Sequence, residues 1–246
     1  MITLLWLAVP YVALTSFVLG HVWRYRHDQF GWTTRSSQLY ESRLLRLGSP
    51  LFHFGLLAVI GGHALGILVP ASWTGFAGIS EAAYHVVSVS AGTLSGLATV
   101  AGLSILLYRR ATVPAVRKAT TTNDKVMYAL LATATATGML NTVGSNLIGG
   151  GYDYRATVSP WFRSLFSLSP RPELMTGVPI SFQVHNLVVL SLLAIWPYTR
   201  LVHVFSAPLG YLVRPYVVYR SRDPQGPDVR RYARAWETPN VPPTRR

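Results

Sequence analysis

The sequence predicts an all-α integral membrane protein: a five-transmembrane-helix bundle with its N-terminus outside and its C-terminus cytoplasmic. Three observations carry that reading. Half of the 246 residues are hydrophobic and 13% are charged, against about 25% charged in soluble domains. The charges cluster, and between the clusters lie five runs, uncharged except for Arg200 near the end of the last, long enough to cross ~30 Å of hydrocarbon at ~20 residues per span. Arginine and lysine concentrate in every second connection, the pattern of loops retained in the cytoplasm.

Inside lipid every backbone amide must find its partner within its own segment, so the runs are read as helices. They fall at 2–23, 48–69, 82–108, 126–148 and 178–203. The first has no basic residue before Arg24; without a charged n-region it is read as a retained span rather than a removed signal. The connection after it holds Arg24, Arg26, Arg35, Arg43 and Arg46. The connection after the third span holds Arg109, Arg110, Arg117, Lys118 and Lys125, and nine arginines occur from Arg200 onward. Residues 70–81 contain no basic residue, and 149–177 only Arg155, Arg163 and Arg171. Five spans fit this parity.

Trp161, Phe162 and Phe166 in the fourth connection are expected to lie along the membrane surface. Trp6, Trp23 and Trp73 are expected in the interfacial belt. Residues 1–222 are read as one transmembrane domain. The Pro- and Arg-rich tail 223–246 has too few aliphatic residues for a core and is read as disordered or partner-bound. The glycine pairs Gly62/Gly66 and Gly92/Gly96, and the Ala/Thr alternation over 132–138, offer small faces for helix packing or for a flat cofactor.

A net charge of +13 suggests nucleic acid at first sight. Here the basic residues flank apolar runs instead of striping a soluble fold, so no nucleic-acid partner is expected. The absence of cysteine excludes disulfides, thiolate-bound zinc and iron–sulfur clusters within the chain.

The histidines carry the chemistry. Of seven, His27 lies in the first basic loop; His21, His53, His63, His85, His185 and His203 lie in or at the ends of spans. One intramembrane histidine is usually explained by a hydrogen bond between helices; two on each of two spans need a function, because each costs a few kcal/mol to insert. On an ideal helix His53 and His63 lie ~15 Å apart along the axis, and His185 and His203, five turns apart, ~27 Å. Pro197 lies between the latter two and can kink that span. The second and fifth spans run in opposite directions, so His53 faces His203 near the inner end and His63 faces His185 near the outer end. Each site offers two imidazoles, and the spans contain no Asp or Glu. Zinc wants three or four protein ligands and a proton relay usually includes a carboxylate. Two imidazoles suit a six-coordinate haem iron. A proton-conducting transporter and a purely structural anchor stay open as rival readings.

The same residues resemble the gamma subunit of respiratory nitrate reductase. Leu51-Phe52-His53-Phe54-Gly55, Gly62-His63-Ala64-Leu65-Gly66, the Val184-His185 context, and Pro197-Tyr198-Thr199-Arg200-Leu201-Val202-His203 followed by Pro208 carry the likeness. Arg109-Arg110, Ala119-Thr120-Thr121-Thr122, and the Arg24-Tyr25 and Ser36-Ser37-Gln38-Leu39 stretches support it. It covers about residues 10 to 222. The resemblance implies a multi-pass subunit of the cell membrane holding two haems b, with ligands falling on His53 and His203 inside and on His63 and His185 outside. It implies oxidation of membrane quinol near the outer haem in nitrate respiration. It also implies electron delivery to an iron–sulfur beta subunit and a molybdenum-containing alpha subunit, where nitrate itself is reduced. The rival within this class is a cytochrome b anchor for a hydrogenase, formate dehydrogenase or sulfite-pathway complex.

Some family members carry a quinol-contacting lysine near the start of the third span. This chain reads Glu81-Ala82-Ala83-Tyr84-His85 there. The expected quinol site is therefore Gly66, giving the ring room, with Tyr84 and His85; the His85 imidazole can accept a proton or serve only as an interfacial anchor. Arg109, Arg110 and Arg200 are read either as partners of haem propionates or as topogenic charge.

Overall fold

A computed structural model describes residues 2–28, 30–32, 36–167, 169–206 and 213. The expected domain boundary after residue 222 and the 223–246 tail lie outside the described residues. Within them the protein is all-helical and contains no strand. Five helical segments are long and apolar enough to cross a membrane.

The spanning segments are α1 (Ile2–His27), α2 (Arg43–Leu68), α4 (Glu81–Thr112), α6 (Thr122–Met139) and α8 (Ile180–Ile195). Short helices α3 (Ala71–Phe76), α5 (Pro114–Lys118) and α7 (Val158–Phe166) lie between them. Local chemistry sets several ends. Ser80 caps α4 by accepting from the Ala83 amide, and Thr121 with Asp124 forms a reciprocal capping box on α6, satisfying amides that the helix leaves open. Helix α6 continues through a π-helical stretch, Leu140–Ile148.

The last span is not one rod. Helix α8 stops at Ile195, and the chain continues as 3-10 turns, Trp196–Tyr198 and Arg200–Val204. Pro197 sits at the break, where it supplies no amide to the ladder and crowds the preceding turn. The continuous helix expected over 178–203, with His185 and His203 sharing one straight face, is corrected accordingly.

Packing runs α2–α4–α6–α8–α1. The tightest junction is α2 on α4. Gly55 lies against the Thr99 amide, 2.7 Å from an added Cβ, and Gly102 lies against the Phe52 backbone. Small residues permit such approach where lipid leaves no hydrophobic drive between helices. Of the pairs expected from spacing, Gly92 and Gly96 lie against Thr142 and Met139 of the fourth span and Gly66 against Tyr154, whereas nothing lies within 4 Å of a Cβ on Gly62. By contrast, α2 and α8 share no close helix-on-helix packing among the described residues. Phe54, Leu57, Leu94 and Ile180 are among many large apolar side chains left exposed along the spans, as a lipid-facing surface requires.

Two tryptophan expectations change. Trp6 is fully buried, edge-on to Trp161 with ring centroids 5.4 Å apart, and its carbonyl accepts the Trp161 indole N–H at 3.1 Å. Trp161 is therefore a core residue under α7, not a surface one, because a buried indole needs an acceptor and the α1 backbone supplies it. Phe166 is exposed, as are Trp23 and Trp73.

Candidate functional site

The four histidines meet in the pairs that the topology predicts. His53 on α2 and His203 on the last 3-10 turn have ring centroids 5.9 Å apart. His63 on α2 and His185 on α8 have centroids 6.1 Å apart. Both pairs bridge α2 to the final span, the two segments that do not pack on one another.

In every ring one nitrogen is committed. The Nδ1–H of His53 donates to the Ser49 carbonyl at 2.7 Å, and that of His63 to the Val59 carbonyl at 2.8 Å. The Nδ1–H of His203 donates to the Arg200 carbonyl at 2.6 Å. His185 differs: its Nδ1 meets the hydroxyl of Thr137 on α6 at 3.0 Å. Thr137 already donates to the Thr133 carbonyl at 2.8 Å, so it receives the His185 N–H. A carbonyl or hydroxyl acceptor at Nδ1 leaves Nε2 with its lone pair, the arrangement that orients a metal-bound imidazole. The Ala/Thr stretch of α6 thus serves the site as well as the packing. Thr137 bonds the ring and Gly138 admits it, a Cβ there lying 3.1 Å from His185 Cε1.

The pairs fit haem on two counts. A metal holds an imidazole nitrogen at ~2 Å, and the nitrogen lies ~1 Å from its ring centre, so rings on opposite sides of one metal ion stand ~6 Å apart. Both observed separations match. Among the described residues no three His, Cys, Asp or Glu side chains converge on one point. A metal that brings four donors of its own suits two imidazoles better than a bare ion does.

At one end, here the Arg109 end, the arginines are otherwise engaged. Arg109 is buried; it bonds Glu41 at 2.6 Å, the Ser37 hydroxyl at 2.9 Å, and the Ser37 and Glu41 carbonyls at 2.8 and 2.6 Å. Arg110 donates to Thr120 at 2.9 Å and lies 4.6 Å from the Tyr128 ring centroid. Arg200 bonds both Asp124 oxygens, at 2.5 and 3.0 Å. Arg109 therefore ties the first basic loop to α4 and has no free hydrogen-bonding edge for a propionate. Desolvation raises the Glu41 pKa; the Leu44 amide and the Arg109 guanidinium outweigh it and hold the carboxyl below its usual value.

At the opposite end, here the Gly66 end, Tyr84 and Gly66 come together. A Cβ on Gly66 would collide with the Tyr154 hydroxyl and lie 3.1 Å from that of Tyr84. The backbone of Gly66 accepts from Ser159 at 3.0 Å. His85 is exposed and lies beside Gly151, 3.4 Å from a Cβ built there. The room expected over Gly66 is thus taken by the Tyr154 hydroxyl, with that of Tyr84 beside it. Tyr154 and its neighbour Arg155 escape a reading based on spans, because they sit in a long connection that the fold brings back over α2 and α4. His21 and His27 stand outside both pairs, each bonded through Nδ1 to a carbonyl of its own helix.

Residues 2–222 match the family described as nitrate reductase gamma subunit. The chain is 57% identical over 221 residues to the nitrate reductase-like protein NarX of Mycobacterium tuberculosis, covering 89% of this chain but only 34% of that relative's length. It is 47% identical over 219 residues to the nitrate reductase gamma chain of Bacillus subtilis, covering 89% of this chain and 98% of the relative. To the respiratory nitrate reductase 2 gamma chain of Escherichia coli it is 33% identical over 214 residues, covering 87% and 94%.

Proposed function

The chain belongs to the nitrate reductase gamma subunit family, and on that premise we propose that it is the membrane cytochrome b subunit through which a nitrate reductase draws electrons from quinol. The observation that carries the proposal is the double pairing of imidazoles at ~6 Å, each ring with its Nδ1 hydrogen bound away from the partner ring.

In this reading His53 and His203 hold one haem b iron and His63 and His185 a second. Haem supplies one-electron redox chemistry at both positions. In this reading, supported by the basic connections, the Arg109 end, with His53 and His203, lies at the cytoplasm and the Gly66 end outside. Quinol binds at the Gly66 end against Tyr84 and His85. Its electrons cross to the Arg109 end while its protons leave at the outer face, through His85 or the exposed Glu81. Each electron moving inward against a negative-inside potential opposes up to ~2.3 kcal/mol per 100 mV, so the crossing stores energy as membrane potential. At the cytoplasmic face the electrons pass to an iron–sulfur beta subunit and then to a molybdenum-containing alpha subunit, where nitrate is reduced. A chain without cysteine cannot ligate such clusters itself. The four histidines orient and hold; the Arg109–Glu41 ion pair fixes the loop that leads into α2, which carries His53, and Arg200–Asp124 fixes the turn that carries His203.

The test is a reduced-minus-oxidised spectrum of membranes containing the chain, repeated with single substitutions. The expected result is a sharp haem b alpha band that is reduced by quinol and loses amplitude on His53→Ala, His63→Ala, His185→Ala or His203→Ala. A colourless protein purified under ample haem supply sinks the proposal.

A further inference from the structure

The connection before α7 brings two side chains to the Gly66 end that the quinol site described above does not use. The Tyr154 hydroxyl rests against Gly66 and pairs with the Tyr84 hydroxyl at 3.3 Å. The next residue, Arg155, has a side chain only 4% exposed. Its guanidinium carbon stacks 3.9 Å from the Tyr84 ring centroid. It also donates to the two Glu81 oxygens at 3.4 and 3.3 Å and to the Thr74 hydroxyl at 3.0 Å. Glu81 and Tyr84 are one turn apart on α4, so a single buried cation holds both.

This cluster is incompletely bonded. Two hydroxyls that face each other use one hydrogen between them; the other finds no acceptor among the described residues. A separation of 3.3 Å is long for an O–H···O bond, which centres on ~2.8 Å. The Arg155 Nε is buried and bonded to none of the described residues. Burial, together with the Tyr84 hydroxyl, raises the Tyr154 pKa, so this phenol stays neutral and keeps its hydrogen to donate.

We propose that the Tyr154–Tyr84 hydroxyl pair recognises a ring oxygen of the quinol, and that Arg155 is the positioning residue that holds Tyr84 for it. The inference rests on the quinol reading of the Gly66 end. A ring oxygen entering beside Gly66 displaces the Tyr154 hydroxyl slightly and exchanges one long bond for a bond to each phenol. Glycine at 66 is required because Tyr154 occupies the place of a side chain, not because the position stands open.

The experiment uses the complete membrane complex, with haem reduction followed optically. A short-chain naphthoquinol serves as substrate, dithionite as a reductant that needs no site, and a hydroxynaphthoquinone as the equilibrium ligand. Tyr154→Phe is expected to raise the naphthoquinol KM and the hydroxynaphthoquinone Kd roughly fivefold to tenfold, the effect of one lost neutral hydrogen bond. Its kcat and its dithionite-reduced spectrum stay at the parent values. Arg155→Lys, which keeps the charge but loses the planar stack and forked bonds, raises KM by a smaller factor. Gly66→Ala alone weakens binding; in the Tyr154→Phe background it adds little, because the colliding oxygen is gone, and such coupling marks direct contact. If quinol reduces the parent complex and Tyr154→Phe leaves KM and Kd unchanged, or if the two substitutions simply add, this inference is overturned alone. If dithionite reduces the parent complex and naphthoquinol does not, the quinol reading falls and takes the inference with it.

Discussion

The two ends of the bundle hold the same pair of side chains by different means. At the Arg109 end both imidazoles hang from backbone carbonyls, those of Ser49 and Arg200. Their surroundings are stiffened by the ion pairs Arg109–Glu41 and Arg200–Asp124. At the Gly66 end one imidazole hangs from a side chain on a third helix, Thr137, and the surroundings are a phenol, Tyr84, stacked on one buried arginine, with the Tyr154 hydroxyl beside it. Backbone acceptors cannot be mutated away, whereas a hydroxyl can. Under the proposed function, that contrast suits a first end held permanently beside a protein partner and a second that adjusts to a quinol.

The largest expected effect breaks one end and spares the other. His185→Ala should abolish the haem signal of the Gly66 end, leave that of the Arg109 end, and stop quinol from reducing what remains. His203→Ala should do the converse and still permit quinol to reduce the surviving haem. Optical titration of both variants checks this, and loss of both signals in either variant means the ends are not separable.

Next comes stability. Asp124→Asn removes the anionic partner of Arg200 and weakens the α6 capping box. Losing a charge-assisted bond at a part-buried arginine costs about 2 kcal/mol. A lowered melting temperature is expected, with haem lost first from the His53–His203 pair.

A smaller effect separates the two kinds of mount. Thr137→Val deletes the acceptor for the His185 N–H, and lost outer-shell partners weaken metal sites by ~10- to 100-fold. Weaker haem retention and a shifted midpoint potential are expected at the Gly66 end only. Ser49→Ala, which removes a hydroxyl 3.2 Å from His53 Nδ1, should change the other end much less, since the Ser49 carbonyl at 2.7 Å remains. Equal shifts in the two variants would erase the contrast.

The smallest effect is on acid sensitivity. The Glu41 carboxyl has its pKa lowered in the folded chain, so its contribution to stability is present above the unfolded value, ~4.3. That contribution is lost as pH falls through the lower folded value. Glu41→Gln should flatten the melting temperature below about pH 5 and leave the pH dependence near neutrality unaltered.

Much of this is legible in the sequence. Charge clustering marks the spans, and their alternating direction pairs His53 with His203 and His63 with His185. What periodicity assumes is an unbroken helix, and the break at Ile195 defeats the ~27 Å spacing on that account. Pro197 signals a kink without saying where the helix stops. Gly55 and Gly102 escape a pattern of glycines four apart in one helix, because close approach needs each opposite the partner's backbone. Trp6 and Trp161 look like interfacial residues because belt tryptophans and core tryptophans are alike in sequence; only the fold shows the Trp161 indole bonded to the α1 backbone and Trp6 buried against it. The role of Arg109 depends on Glu41, 68 residues away, which only the fold brings to face it.

The interruption after Ile195 makes the last span a two-part fixture. An inserted or deleted residue in a continuous rod turns everything beyond it by ~100°, and both imidazoles would have to be re-aimed together. With His185 on the rod and His203 on short turns anchored separately through Arg200 and Asp124, a change on one side stops at the joint. Descendants of this chain can re-aim one imidazole pair while inheriting the other intact.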